Sequence, residues 1–102
     1  LTESDVYDII ELQIADLVNN LSKLGIKLRL NKTVRKFIAL KGYNIKYGAR
    51  FLRRTIQEKL ENPISDILLK NSISKGTTII VKLLKDKIIF ELKTNKLSKN
   101  AI

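Results

Sequence analysis

The 102-residue sequence contains neither cysteine nor histidine. Their absence excludes disulfides, Cys/His zinc sites, imidazole general bases and thiol nucleophiles together. No apolar run approaches the ~20 residues that cross a bilayer, so a membrane is not an expected partner. The sequence has no initiating methionine and no signal-like leader, which predicts a segment of something longer. Six aromatic residues are present, Tyr7, Phe37, Tyr43, Tyr47, Phe51 and Phe90, and they are scattered rather than gathered on one strand, as a base-stacking platform would require. Also missing are a G-x-x-x-x-G-K-[ST] loop and a hydrophobic strand ending in Asp-Glu. The chain alone is therefore not expected to cradle phosphates, hold magnesium or act as an enzyme.

What is present fits one soluble globular domain. Hydrophobic residues make up 44% and charged residues 29%, and a chain this long buries roughly 65% of its unfolded surface, enough for one core. The net charge is +10. Lys and Arg release counterions when they neutralise phosphates, so a small basic nucleic-acid-binding module is the alternative reading. Lysine far outnumbers arginine, however, and Asn and Ile are also abundant. A+T-rich coding imposes this bias on any protein, so a solvated lysine surface is the favoured account of the charge. The same composition fits a plastid or a low-GC bacterium, with the plastid preferred.

Thr2 is placed to cap a helix, with Glu3 and Asp5 in its first turn. Val6, Ile9, Ile10, Ile14, Leu17, Val18 and Leu21 form an apolar stripe at three- and four-residue steps, and Gly25 ends it, giving a helix over roughly 3 to 24. Ile26, Leu28 and Leu30 alternate with Lys27 and Arg29 as a short strand over 26–30. Asn31 caps a second helix, which runs to Gly42 as a stop, followed by a loop to Tyr47. Gly48 introduces a third helix with Phe51, Leu52, Ile56 and Leu60 inward. Pro63 either kinks it at Asn62 or restarts it there, and Ile64, Ile67 and Leu68 continue the buried side to about Asn71. After Gly76, two β-branched runs predict a hairpin over 77–93. The polar stretch 94–102 reads as a frayed tail outside a domain of 1–93. The fold class is α+β, three to four helices on a small three-stranded sheet.

Function is most legible in GYNIKYGARFLRRTIQEKLENPISDILL, residues 42–69. This stretch resembles the C-terminal small (lid) subdomain of the second AAA+ module in Clp ATPases of the ClpB and ClpC type, in which Gly-Tyr-Asp/Asn-Pro-x-Tyr-Gly-Ala-Arg-Pro-Leu precedes a helix carrying Glu-Asn-Pro. Gly42, Tyr43, Asn44, Tyr47, Gly48, Ala49, Arg50, Leu52, Arg53, Arg54, Ile56, Gln57, Glu61, Asn62 and Pro63 keep the pattern. Ile45 and Phe51 depart from it, each standing where the family has proline.

The resemblance implies a nucleotide-sensing and ring-assembly lid of an ATP-dependent chaperone or protein unfoldase. It implies that Arg50 is the sensor-2 arginine, reaching the γ-phosphate of ATP held by the large subdomain. A planar, permanently charged guanidinium suits that task. Gly48 and Ala49 would let backbone and nucleotide approach closely. Ile10 and Leu1 fall where related ATPases place apolar contacts to adenine, against the plainer reading that such a stripe is core. Arg53 and Arg54 could face the nucleotide, an adjacent subunit or water. The implied cofactors are ATP or ADP with Mg in the full-length protein, none tightly bound to this chain. The implied partners are the large subdomains of the same and adjacent subunits in a homo-hexamer, with a Clp peptidase left open. The implied location is a plastid or bacterial cytoplasm.

Overall fold

The computed structural model describes residues 2–43, 46–70 and 73–94. Helix α1 spans Glu3–Ser22 and opens with a reciprocal cap, in which Asp5 N–H donates to Thr2 Oγ1 at 3.1 Å and Thr2 N–H donates to the Asp5 carboxylate at 3.0 Å. The two bonds satisfy amide donors that the helix start would otherwise leave free. They also hold the Asp5 carboxyl below its ordinary range, because both the Thr2 amide and its side chain favour the charged form. Gly25, at φ +78, turns the chain after α1, and Gly76 N–H donates to its carbonyl at 2.8 Å.

Strand β1, Lys27–Leu30, leads through the Asn31 cap into α2, Lys32–Gly42, with Val34 N–H donating to Asn31 Oδ1 at 2.9 Å. Arg35 of α2 ties three elements together: Nη1 donates to the Leu30 carbonyl at 2.6 Å, and Nε pairs with Glu11 of α1. Strands β2, Thr78–Leu84, and β3, Lys87–Lys93, complete a sheet of order β1-β2-β3. β1 pairs parallel with β2, Leu28 opposite Ile79, and β3 pairs antiparallel with β2, Val81 opposite Phe90. The period of two puts Leu28, Leu30, Ile79, Val81, Leu83, Ile88 and Phe90 on the face that meets the helices. The other face carries Arg29, Ile80 and the exposed Lys82–Glu91 pair at 2.9 Å. A two-residue turn joins β2 to β3, with Lys85 at φ 49 and Asp86 at φ 61. Lys87 is the first residue of β3.

The third helical body differs most from expectation. Helix α3 is Leu52–Ile56, a π-helical segment covers Gln57–Glu61, and α4 runs over Asn62–Lys70, all continuous. Pro63 neither breaks nor caps this rod. Asn62 N–H reaches back five residues to the Gln57 carbonyl, so the wider turn takes up the site where proline's ring would crowd an α-helical carbonyl. A second reason lies in the core. Leu52, Ile56, Leu60 and Ile64 are all essentially inaccessible and spaced four apart. In a pure α-helix each four-residue step overshoots the turn by about 40°, and the stripe would wander off the core. The wider π turn returns Leu60 and Ile64 to the buried face.

Candidate functional site

The loop that carries Arg50 is closed at its base. Gly42 ends α2 with no room for a side chain, since a Cβ there would lie 2.7 Å from Leu52 Cδ2, 3.0 Å from Leu52 Cα and 3.1 Å from Thr55 Oγ1. Gly42 is thus a point of close approach between α2 and α3, not a left-handed stop; the cap position is Tyr43, with extended backbone. Asn44 and Ile45, the latter standing where the family has proline, lie outside the described residues.

From Lys46 onward the chain makes two successive tight turns. Arg50 N–H donates to the Tyr47 carbonyl at 3.3 Å, with Gly48 at φ +63 inside that turn, and Leu52 N–H donates to the Ala49 carbonyl at 3.1 Å. A positive φ at Gly48 is a conformation that side-chain-bearing residues adopt at a cost of about 1–2 kcal/mol. Ala49 is half-buried against the core and pins the middle of the loop. The first helical residue is Leu52, so Gly48 does not begin the helix, and Arg50 stands in the turn before it. The cause is backbone geometry: a left-handed residue at 48 cannot be part of a right-handed helix.

Arg50 is exposed, and its guanidinium carbon lies 5.6 Å from the centroid of the Tyr47 ring. It forms no ion pair with any described carboxylate. Lys46 Nζ lies 5.5 Å from the same ring, and Phe51 meets that ring edge-on, with centroids 5.4 Å apart and planes at 68°. This aromatic arrangement was not anticipated from the motif. Its signal was the spacing Tyr47, Arg50, Phe51 around a glycine, which a tight turn brings to one side.

The remaining expected site residues scatter. Ile10 is completely buried in the core and presents no surface to a base, so the apolar-contact expectation is corrected: its place in the stripe is that of a core residue. Leu1 lies outside the described residues, as does 95–102, the bulk of the expected tail. Arg53 is exposed, while Arg54 Nε pairs with Glu58 one turn on at 3.2 Å, both side chains well solvated. Such a pair contributes about 0.3–0.5 kcal/mol. An open groove of 420 Å³ runs between α1 and α2, lined by Val6, Tyr7, Ala39, Leu40 and Tyr43 with Glu3 and Lys36 at its rim. Sequence periodicity alone did not mark this groove. Among the described residues there is no cluster of three or more acidic side chains placed to hold a metal, and no helix long and apolar enough to cross a membrane.

Three helical bodies on one face of a small mixed sheet, with an arginine on a glycine loop between the second and third, have the architecture of an AAA+ C-terminal small subdomain. The family described as the C-terminal, D2-small domain, of ClpB protein matches residues 1–81. Relatives include the chaperone protein ClpB of Rickettsia typhi, 32% identical over 90% of this chain and 11% of that protein. The chloroplastic chaperone protein ClpD of Arabidopsis thaliana is 37% identical over 81% of the chain and 9% of its own length. The ClpB of Prochlorococcus marinus is 36% identical over 88% of the chain and 10% of its length. The chain belongs to the ClpB D2-small family and spans about a tenth of the length of these chaperones.

Proposed function

We propose that this domain is the nucleotide-sensing lid of a Clp-type chaperone ATPase, with Arg50 as its sensor-2 arginine. The observation that carries the reading is the state of that side chain: exposed, on a loop closed by the Gly42–Leu52 contact, with an aromatic ring rather than a carboxylate beside it. A guanidinium already paired with a carboxylate would have to break that pair before meeting a phosphate. One held against a ring keeps its full charge and its fork of N–H donors.

ATP and Mg would be bound chiefly by a large subdomain, with Arg50 supplying positive charge to the γ-phosphate. Loss of that phosphate would release the arginine and change the angle between the two subdomains. Arg53, unpaired among the described residues, and Arg54 are candidates for contact with an adjacent subunit in a hexameric ring. The chaperones similar to this chain are about ten times longer, which leaves room for the nucleotide-binding part. A Clp peptidase as a further partner, and a plastid or bacterial setting, extend the same reading; the similarity to both a chloroplastic ClpD and bacterial ClpBs supports either setting.

The test is Arg50→Ala in the intact ATPase. ATP hydrolysis is expected to fall at least tenfold, as removal of a charge-stabilising donor commonly costs. Hydrolysis, nucleotide affinity and hexamer formation all at wild-type levels would refute the assignment.

A further inference from the structure

We propose that Tyr47 is the positioning residue for Arg50: a ring held edge-on by Phe51 keeps the guanidinium in place before any phosphate arrives. The proposal rests on the reading of Arg50 as a phosphate sensor.

The geometry argues for it in three steps. The turn closed by Arg50 N–H and the Tyr47 carbonyl makes these residues its two ends, so their side chains leave the backbone side by side. Gly48 supplies the positive φ inside that turn. The Tyr47 ring is then set against Arg50 on one contact, at 5.6 Å, and against Phe51 on another, at 5.4 Å in an edge-to-face arrangement. Edge-to-face packing fixes a ring's plane as well as its place, and a fixed plane defines where a cation is attracted.

An exposed arginine otherwise samples many rotamers and must give them up on meeting a phosphate. A side chain already confined loses less on binding. Tyr47 touches no phosphate in this scheme. It acts through Arg50, and the attraction needs the ring face rather than the hydroxyl.

A double-mutant cycle in the intact ATPase tests this, with kcat/KM for ATP as the readout. Tyr47→Leu is expected to lower kcat/KM about two- to fivefold, the range of an exposed cation–ring contact. Tyr47→Phe keeps the face and is expected to retain most of it. In an Arg50→Ala background, Tyr47→Leu should have no further effect. Equal losses with and without Arg50, or a loss in Tyr47→Phe as large as in Tyr47→Leu, overturn the proposal.

Arg50→Ala with wild-type hydrolysis overturns the sensor reading instead, and the ring contact is then judged by the NMR shift of Arg50 Hε. That proton should be moved upfield by the ring in the wild type and in Tyr47→Phe. Its presence at an unperturbed position in both overturns the stacking. Should Tyr47→Leu prevent folding, Phe51→Leu takes its place: it leaves Tyr47 in position but unsupported, and must lower kcat/KM in the same direction and only when Arg50 is present.

Discussion

The arginine loop and the β2–β3 turn are both short connections that require left-handed backbone, and they meet the requirement differently. The loop uses Gly48, which reaches φ +63 without steric cost; the hairpin places Lys85 and Asp86 at φ 49 and 61. The difference follows what each connection carries. A two-residue hairpin needs positive φ at both positions to match the twist of its strands, and seven paired positions on each side supply stability to absorb the strain. The loop carries a single bridge residue, Gly48, in place of a ladder. Its shape rests on a glycine at 48 and on the approach of Gly42 to Leu52 at its base. One connection is bounded by strong pairing and tolerant of imperfect residues, the other is bounded by a contact that leaves no space.

Four variants sharpen this contrast. Gly42→Ala should have the largest effect, because its Cβ would meet the Leu52 backbone at 3.0 Å as well as its side chain. The helix-propensity gain of alanine does not offset such overpacking, and a loss of about 1–3 kcal/mol is expected as a lower urea midpoint. Gly48→Ala should cost about 1–2 kcal/mol by the strain of a left-handed alanine. Gly48→Asn should recover part of the loss, since asparagine tolerates that conformation. Parity of alanine and asparagine at 48 would mean the loop relaxes to another shape. In the opposite direction, the double change Lys85→Asn with Asp86→Gly supplies the preferred residues of a two-residue hairpin turn. It should raise stability by about 1 kcal/mol, seen as a thermal midpoint higher by about 4–8 °C for a domain of this size. A destabilised double variant would show that the hairpin is not the strained connection.

The elements that rest on local chemistry were legible in the sequence. Thr2 and Asn31 each accept the backbone bond expected of a cap, Gly25 turns left-handed after α1, and the two β-branched runs pair as a hairpin. What was not legible depends on partners distant in the chain. The parallel alignment of β1 on β2 has no local signature, because alternation reports only that one face is buried. The pattern puts the start of the third helix at Gly48, whereas the positive φ there defers the helix to Leu52.

The π-helical segment did leave a trace. Leu52, Ile56, Leu60 and Ile64 repeat strictly every four residues, where an α-helical stripe mixes steps of three and four, and Pro63 sits within the same run. Of the candidate site, the motif points to Arg50 and Gly48, while the ring beside the guanidinium required coordinates. Ile10 shows the limit of carrying a role by position: the stripe that made it a candidate is the stripe that encloses it.

The parallel pairing of β1 with β2 also dictates an order of assembly. Lys27 must find Thr78 about fifty positions later, and that closure cannot be rewarded until the intervening helices have docked. The hairpin, by contrast, can zip from its own turn. While the polypeptide is being synthesised, β1 therefore emerges with its hydrogen-bonding edge bare and waits through α2 and the π-bearing rod for its mate. A nascent chain stalled anywhere before residue 78 would display that edge to any other strand nearby, so premature termination in this stretch should favour aggregation over a partly folded product.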